Sequence, residues 1–318
     1  MSKILITGAS GFVGSHLCEY LYSLQKYEIT GTYLQEESFI NSPVKNKINF
    51  EKLDLLETGK VYDLVTKLKP DYLVHLAAST SPHASFKNPI GTFQNNINSQ
   101  LNLLEAIREN KLFETRILII SSGEIYGRIR SEDLPVNEET PLMPLSPYAV
   151  SKISQDYLAL QYFLTYKIPS IRVRPFNHIG PRQGLGFIAS DFSKQIAEIE
   201  KGKMEPIIKV GNLEAKRDFT DVRDVVRAYS LLLEKGLPGE PYNIGSGESY
   251  SAQTILDILL KLSQTKIAVE VDPEKLRPSD IADIKCDSTK LRDLTGWQPQ
   301  IKITQTLQDT LDYWRNII

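Results

Sequence analysis

Short apolar runs alternate with stretches of helical periodicity along the first half of the chain. The predicted strands are KILIT, YEITGTYL, INFEKLDL, DYLVHLAA and RILIISS. Each run is bounded by polar residues, which is typical of strands buried on both faces of a sheet. Helical periodicity begins at Phe12 and recurs near 60–67 and over 95–110. This alternation predicts an α/β fold with a doubly wound parallel sheet.

Three glycines lie between the first predicted strand and the first predicted helix, in KILITGASGFVGSHL. Gly8, Gly11 and Gly14 allow a tight turn, close approach of backbone N–H groups to a pyrophosphate, and close packing of the helix on the sheet. Their position after a strand and before an amphipathic helix predicts a dinucleotide site. The spacing is GxxGxxG rather than GxGxxG.

The pattern becomes less regular after a further strand, SIRVRPF. The predicted later helices start at Pro147 or lie near 191–201, 222–235, 251–262 and 304–317. We predict a Rossmann-like NAD(P)-binding domain from residues 1–176 together with about 222–245. Residues 177–221 and 246–318 would form a smaller C-terminal α/β domain that binds the substrate.

Composition narrows the class of function. The chain has 318 residues, of which 41% are hydrophobic and 24% charged, with a formal net charge of −2. A balanced charge without a long basic block disfavours nucleic-acid and membrane-surface partners and favours a small-molecule substrate. No window approaches ~18 unbroken apolar residues, so a cytoplasmic location is expected. Cys18 and Cys286 are far apart, and the four histidines lack ligand spacing, so neither a disulfide nor a metal site is predicted.

The end of the second strand should read the adenosine ribose. It finishes at Thr32 to Leu34 with neither a carboxylate for a free 2′-OH nor an arginine for a 2′-phosphate, and Glu36 and Glu37 lie just beyond. We expect NADP(H) to be favoured, with NAD(H) as the alternative. Asp54 follows the third strand and is predicted either to meet the adenine amine or to cap a helix.

The segment SPYAVSK at 146–152 places a phenol and an ammonium on one face of a new helix. Ser146 is a suitable N-cap and Pro147 suits the first helical position. The positive charge of Lys152 should favour the phenolate of Tyr148 and so prepare it for proton transfer. The same spacing occurs in YSLQK at 22–26, so spacing alone does not choose between the two pairs.

Five motifs in order resemble the extended short-chain dehydrogenase/reductase family, also described as NAD-dependent epimerases/dehydratases. They are the GxxGxxG turn, HLAA at 75–78, SSGEIYG at 121–127, PYAVSK at 147–152 and RPFNHIGP at 174–181. The resemblance selects the Tyr148/Lys152 pair. It implies that Ser122 hydrogen-bonds the substrate oxygen, that Tyr148 is the general acid or base, and that Lys152 holds the nicotinamide ribose and lowers the pKa of Tyr148.

The resemblance also assigns residues outside this trio. Asn96 would match the asparagine of a family helix, with a satisfied polar residue in an interface helix as the alternative, and Asn177 would touch the sugar or its phosphates. The predicted cofactor contacts are Gly8, Gly11, Phe12, Val13, Gly14, Thr32, Asp54, Leu55, Leu76, Ala77, Ala78, Asn96, Tyr148 and Lys152.

Members of this family act largely on nucleotide sugars, which implies a site for a diphosphate. The segments KVGNLEAKRDFTDVRDVVRAY and RPSDI resemble those of enzymes that make GDP-6-deoxyhexoses. Arg217 and Arg277 are the predicted phosphate contacts because guanidinium presents a fork to paired oxygens, and Lys209 is a further candidate. The resemblance implies a homodimer built through helices near 96–109 and 148–165.

The implied activity is reduction of the C4 ketone of GDP-4-keto-6-deoxy-D-mannose to GDP-D-rhamnose with NAD(P)H; a talose-type product needs only the opposite face. Glu124 keeps a GDP-mannose 4,6-dehydratase open as the alternative, since that reaction needs a carboxylate to remove the C5 proton. Another nucleotide-sugar epimerase or reductase, or a non-enzymatic NADP sensor, would share the same fold. The reductases of this group tend to have an arginine just after the second strand, where this chain has Leu34.

Overall fold

A seven-stranded parallel sheet forms the centre of the computed structural model, which describes residues 1–35, 42–272 and 283–318. Numbered along the whole chain, its strands are β1 (Ser2–Thr7), β2 (Tyr27–Tyr33), β3 (Asn49–Lys52), β4 (Tyr72–His75), β5 (Arg116–Ile120), β6 (Ser170–Pro175) and β10 (Pro241–Ile244). The spatial order is β10-β6-β5-β4-β1-β2-β3. The order reverses between β1 and β4, and ligands bind at such a point beyond the carboxyl ends of the strands. The predicted doubly wound α/β sheet is confirmed.

Helices cover both faces of this sheet. The helices on one face are α1 (Phe12–Ser23) and α8 (Val222–Lys235), and those on the other are α2 (Thr58–Leu68), α5 (Ser99–Glu109) and α6 (Pro147–Tyr166). Successive side chains of β1 alternate between the two apolar cores: Ile4 and Ile6 join the first, and Leu5 joins the second. The strand is therefore apolar at consecutive positions because both of its faces are buried.

The segment between β4 and α5 differs from the single helix predicted over 95–110. Two short helices, α3 (Pro82–Lys87) and α4 (Pro89–Phe93), precede a π-helical turn over Gln94–Asn98, and regular α-helix begins only at Ser99. Each short helix has proline in its first turn and a side-chain cap, from Ser81 and Asn88 respectively. Apolar periodicity does not distinguish such a wider turn from an α-helix.

The later part of the chain builds two small sheets and a third apolar core. The strands are β7 (Asn177–Ile179), β9 (Lys216–Asp221) and β11 (Ser249–Ser251) in one sheet, with β8 (Ile207–Val210) and β12 (Ala268–Val271) in the other. The helices are α7 (Ile188–Glu200), α9 (Ala252–Leu262), α10 (Thr289–Thr295) and α11 (Ile303–Ile317). All four helices predicted after residue 177 are present to within a few residues.

Among the helices of the described ranges, none has both the length and the apolar character needed to cross a membrane.

We retain the division into two domains as a proposal. Strand β10 pairs with β6 and α8 packs on α1, which favours assigning 222–245 to the domain formed by residues 1–176. One element lies across the proposed boundary. Leu291 of α10 and Trp297 belong to the apolar core of the large sheet, so the C-terminal part of the chain contributes to both units.

Candidate active site

A cleft of about 850 Å³ opens at the carboxyl ends of the central strands. Seventeen of the predicted site residues line it. They are Gly8, Gly11, Phe12, Val13, Gly14, Thr32, Asp54, Leu55, Leu76, Ala77, Ala78, Ser122, Glu124, Tyr148, Lys152, Asn177 and Arg217. The structure thus brings the glycine turn, the serine, the tyrosine and lysine, and one predicted phosphate contact to a single cavity.

The glycine turn has no room for side chains. Gly8 has φ of +68°, and a Cβ built on it would lie 2.9 Å from the backbone nitrogen of Ala77. A Cβ on Gly14 would lie 2.2 Å from the carbonyl oxygen of Gly8 and 2.7 Å from the Cα of Ala9. The absence of side chains therefore lets a ligand in the cleft come close to the N-terminus of α1. The N–H groups and the dipole of the helix favour a phosphate there. The residues present fit a dinucleotide cofactor.

The adenosine end of the cleft carries no charged side chain from the described end of β2. Thr32 to Gln35 line the cavity there. Asp54 also lines it, while its Oδ1 accepts a hydrogen bond from the backbone N–H of Leu56 at 2.9 Å. That bond stabilises a turn before α2 and leaves the second carboxylate oxygen for a ligand. Glu36 and Glu37 lie outside the described residues.

Ser122 and Tyr148 meet at the far end of the cleft. Ser122 follows β5 and caps the short 3₁₀ turn Gly123–Tyr126, where its Oγ accepts from the N–H of Glu124 at 3.1 Å. The same hydroxyl lies close enough to the Tyr148 phenol to influence its pKa, and both residues line the cleft. The predicted geometry of a strand-end serine beside the helical tyrosine is present.

The start of α6 is built as predicted, and this fixes Tyr148. Ser146 is the N-cap, with its Oγ accepting from the N–H of Ala149 at 3.1 Å, and Pro147 is in the first turn. The N–H of Tyr148 donates to the Oγ of Ser85 on α3 at 3.1 Å. The phenol is therefore anchored through its backbone by two separate segments.

The pKa of Tyr148 moves opposite to the prediction. Burial raises the pKa of Tyr148 to about 12, the nearby Ser122 hydroxyl opposes the rise, and the charge of Glu124 adds to it. The ammonium of Lys152 does not lower it, because Lys152 is itself withdrawn from water and directed to other partners. The phenol therefore keeps its proton at neutral pH.

Lys152 is buried and held by two acceptors. Its Nζ donates to the backbone oxygen of Ile120 at 2.8 Å and to Oε1 of Gln155 at 2.8 Å. Burial lowers the pKa of Lys152 to about 7. One of its three N–H groups remains after these two bonds, and Lys152 lines the cleft.

Glu124 and Arg217 place opposite charges at the other side of the reacting end. Burial raises the pKa of Glu124, and the nearby guanidinium of Arg217 opposes that rise. Arg217 lines the cleft from β9 and donates from Nη1 to the backbone oxygen of Lys216 at 2.7 Å. The arrangement places a partly buried cation near Glu124 on the wall of the cleft, where an anionic substrate group could lie.

Three predicted residues are not on the described wall of the cleft. Asn96 is buried in the π-helical turn, where Nδ2 donates to the oxygen of Ser79 at 3.1 Å and to Oγ of Ser151 at 2.9 Å, and Oδ1 accepts from the N–H of Ser79 at 2.7 Å. Asn96 therefore supports Ser79 from behind, which matches the alternative of a satisfied polar residue. Lys209 lies exposed on β8, outside the lining set. Arg277 lies outside the described residues.

Tyr229 is a cleft residue that the sequence did not reveal. It comes from α8, is almost fully buried, and lies close enough to Tyr148 for the two phenols to interact electrostatically. Burial raises its pKa, and its hydroxyl has no hydrogen-bond partner within the described part of the chain. In the sequence, Tyr229 is indistinguishable from the other positions on the apolar face of its helix.

Within the described ranges, no cluster of histidine, cysteine and acidic side chains could hold a metal ion.

Comparison of the sequence with known proteins identifies related enzymes. The family model described as GDP-mannose 4,6 dehydratase matches residues 5–310. The GDP-6-deoxy-D-mannose reductase of Pseudomonas aeruginosa is 35% identical over 314 residues, covering 99% of this chain and 97% of that protein. The GDP-mannose 4,6-dehydratase of Yersinia enterocolitica is 28% identical, covering 96% of this chain and 91% of that protein.

Solved structures give the same picture. The structure of RMD from Pseudomonas aeruginosa complexed with NADPH superimposes with a TM-score of 0.89 at 33% identity, covering all of both chains. The UDP-glucose 4-epimerase of Thermus thermophilus in complex with NAD has a TM-score of 0.86 at 26% identity, covering 99% of this chain and 100% of that one. Both cofactors are thus bound by proteins of this shape.

Proposed function

The chain belongs to the GDP-mannose 4,6 dehydratase family within the extended short-chain dehydrogenases/reductases, and from this premise we propose that it reduces the C4 ketone of GDP-4-keto-6-deoxy-D-mannose to GDP-D-rhamnose. It is an NAD(P)-dependent nucleotide-sugar oxidoreductase. The observation that carries the proposal is that Ser122 and Tyr148 lie close together in the cleft that the glycine turn also lines. The similarity to a GDP-6-deoxy-D-mannose reductase over nearly the whole chain supports the substrate.

The reaction adds a hydride to C4 and a proton to its oxygen. When bound, a reduced nicotinamide cofactor would supply the hydride and would itself be oxidised. Tyr148 donates the proton, since its raised pKa keeps the phenol protonated until charge develops on the substrate oxygen. Ser122 donates a hydrogen bond to the same oxygen, and solvent later returns the proton to Tyr148. In a cleft with little water these contacts stabilise the developing negative charge more strongly than they would in bulk solvent.

Lys152 and the glycine turn would hold the cofactor. The N–H groups of the turn suit the pyrophosphate, and the remaining N–H of Lys152 suits a nicotinamide ribose hydroxyl. We propose NADP(H) as the preferred cofactor and NAD(H) as the alternative. The NADPH complex of the Pseudomonas aeruginosa relative supports NADP(H). The uncharged end of β2 and the NAD complex of the epimerase are the reasons to retain NAD(H) as the alternative.

We propose that Arg217 and Asn177 contact the GDP-sugar. Both line the cleft beyond Ser122, and Arg217 brings a guanidinium fork that fits paired phosphate oxygens. Lys209 and Arg277 remain proposals of the same kind that rest on motif resemblance alone.

Dehydration of GDP-mannose is the second candidate, because Glu124 is partly buried near Tyr148 and its raised pKa suits a proton-accepting carboxylate. Similarity favours the reductase, at 35% identity against 28%.

The deciding experiment follows two reactions by NMR. The enzyme with GDP-4-keto-6-deoxy-D-mannose and NADPH, or NADH in parallel, should give GDP-D-rhamnose. Incubation with GDP-mannose and a catalytic amount of NADP⁺ should give no 4-keto product, and its appearance would overturn the reductase assignment. Tight cofactor binding without turnover of any 4-ketosugar would indicate a sensor.

We propose that the enzyme is a cytoplasmic homodimer. Val150, Tyr157 and Leu164 recur every seven residues on α6 and are 38%, 52% and 57% exposed. Such an apolar stripe on one helix face suits a second copy of the same helix. Both cysteines are unpaired and buried, which suits a reducing compartment. Light scattering should give twice the chain mass, and Tyr157→Glu should shift it toward the monomer.

A further inference from the structure

Gln155 lies behind the cleft, one helical turn beyond Lys152, and is fully buried. Its Oε1 accepts from the Lys152 Nζ at 2.8 Å, and its Nε2 donates to the backbone oxygen of Asn96 at 2.8 Å. It is not among the residues that line the cavity. A glutamine amide in this position touches the lysine without being able to touch the substrate.

The orientation of this amide follows from the chemistry of its two partners. A lysine ammonium can only donate and a backbone carbonyl can only accept. Oε1 must therefore face Lys152, and Nε2 must face Asn96. Flipping the amide would oppose donor to donor and acceptor to acceptor at the two ends, in a site closed to water.

His75 completes the network from the neighbouring strand. Its Nε2 lies 3.3 Å from Nε2 of Gln155, and its Nδ1 lies 2.9 Å from Oγ1 of Thr7. Since the glutamine nitrogen is a donor, His75 accepts at Nε2 and carries its proton at Nδ1, which donates to Thr7. Burial lowers the pKa of His75 to about 3, and the charge of Lys152 adds to that lowering. The histidine is neutral and fits this assignment.

We propose that Gln155 is a positioning residue, whose side-chain carbonyl holds the Lys152 ammonium in its charged form at the cleft wall. Two of the three ammonium N–H groups are taken by Ile120 and Gln155, which directs the third toward the cavity. The titratable groups around Lys152 are His75 on β4 and Tyr148 on its own helix, and both are uncharged at neutral pH. Among the described residues no carboxylate shifts the pKa of Lys152, so the backbone oxygen of Ile120 and the amide oxygen of Gln155 are the groups that stabilise the cation. This inference rests on the proposed function only in taking Lys152 as a cofactor contact.

The decisive measurement is the titration of Lys152 in the ligand-free enzyme, followed through the ¹³Cε shift of labelled lysine and assigned by loss of the signal in Lys152→Met. Gln155→Met keeps the size of the side chain and removes the acceptor, so the midpoint should fall by about one pH unit. Gln155→Glu places a carboxylate at the same distance and should raise the midpoint by about one to three units. Opposite shifts distinguish positioning from general damage to the helix.

Gln161→Met and Gln161→Glu are the matched controls, because Gln161 lies exposed on the same helix and donates to Thr165. They should leave the Lys152 midpoint unchanged. The proposal is overturned if the Gln155 variants keep the wild-type midpoint or shift it in the same direction. If Gln155→Met does not fold, as judged by circular dichroism, the upward shift in Gln155→Glu decides the question alone.

Cofactor binding supplies a second readout. At about pH 8, Gln155→Met should bind NADPH about tenfold more weakly than wild type, because a tenfold smaller fraction of Lys152 is charged. Gln155→Glu should extend tight binding to higher pH. A wild-type enzyme that binds NADPH but reduces no 4-ketosugar would contradict the proposed function and leave both readouts of Gln155 intact. If the enzyme is active but the Gln155 variants leave the Lys152 midpoint unchanged, only the positioning role of Gln155 would be contradicted.

Discussion

The Tyr148 phenol and the Ser122 hydroxyl lie close together beyond the carboxyl end of β5. The tyrosine comes from a helix and the serine follows a strand, so two separate elements bring a protonated phenol and a hydroxyl to the reacting end of the cleft. In this position both groups are available to the oxygen of one substrate carbonyl. Burial raises the pKa of Tyr148, which suits a proton donor and would hinder a permanent base.

Tyr148→Phe is expected to lower turnover by about 10²- to 10⁴-fold, the usual contribution of a positioned general acid. The ring remains to fill its site, so the dissociation constant of NADPH should change little. Stopped-flow reduction and fluorescence titration measure the two quantities. Tyr22→Phe is the control, since Tyr22 near the end of α1 has the same sequence spacing to Lys26 and both residues lie outside the cleft. Retained turnover in Tyr148→Phe would remove this phenol from the mechanism.

The main elements of the fold could be predicted because each depends on local pattern. β1, β4 and β5 are apolar runs with polar ends, and the glycines, Ser146 and Pro147 act on the few residues next to them. The network of Gln155 could not be predicted in this way. A glutamine in a helix is typical of a solvated face, and its burial here depends on His75 and Asn96, which are remote in sequence.

The pKa of Tyr148 shows the same limit in physical terms. Spacing placed a cation beside the phenol, but the sequence could not show how deeply both groups are buried or that Lys152 donates to Ile120. Desolvation outweighs the expected attraction. Asn96 was expected at the cofactor and instead supports the wall at Ser79, because a π-helical turn changes which side chains face the cleft.

Gly14→Ala is expected to abolish tight cofactor binding and to destabilise the protein by about 1–3 kcal/mol, since the new methyl group would overlap the Gly8 carbonyl. Gly59→Ala is the matched control. Gly59 lies in the first turn of α2 with nothing near its missing Cβ, so this substitution should be neutral or stabilising by up to about 1 kcal/mol. Urea unfolding and NADPH titration test both variants. Normal NADPH affinity in Gly14→Ala would show that the pyrophosphate does not approach this turn.

Arg217→Met is expected to raise KM for the GDP-sugar by about 10- to 100-fold, the loss of a charge-assisted hydrogen bond to phosphate. The value of kcat should change much less, because the proposed partner of the guanidinium is the diphosphate and not the C4 ketone that is reduced. The KM of Arg217→Lys should lie between those of wild type and Arg217→Met, since lysine restores the positive charge without the forked guanidinium. The control is Arg130→Met, which breaks an exposed ion pair with Asp133. An unchanged KM would remove Arg217 from the substrate site.

His16 should make the folded protein sensitive to acid. Burial, helped by the charge of Arg182, lowers its pKa from 6.5 to about 4. Between these values the unfolded chain binds a proton that the folded chain does not, so stability is lost as pH falls from 6.5 toward 4, by at most about 1.4 kcal/mol per pH unit. His16→Gln should flatten this dependence in urea unfolding at several pH values, whereas replacing the exposed His83 should not. Equal slopes for wild type and His16→Gln would contradict the assignment.

Tyr229→Phe is expected to stabilise the ligand-free protein by about 1 kcal/mol, because the buried hydroxyl has no partner among the described residues and its desolvation is uncompensated. Tyr242→Phe is the opposite case in the same apolar core. Its hydroxyl accepts from the N–H of Leu237 at 3.0 Å, so its removal breaks a hydrogen bond and should destabilise the protein by about 1 kcal/mol.

Urea unfolding of the two variants, with and without NADPH, separates the explanations for the Tyr229 hydroxyl. If the bound cofactor supplies the missing partner, NADPH should stabilise wild type more than Tyr229→Phe, and the advantage of the variant should shrink or reverse. If a bound water already pairs with the hydroxyl, Tyr229→Phe should behave like Tyr242→Phe before any cofactor is added. The second result would show that the Tyr229 hydroxyl is already paired in the ligand-free protein. It would therefore contradict the interpretation that a bound cofactor supplies the partner of this hydroxyl.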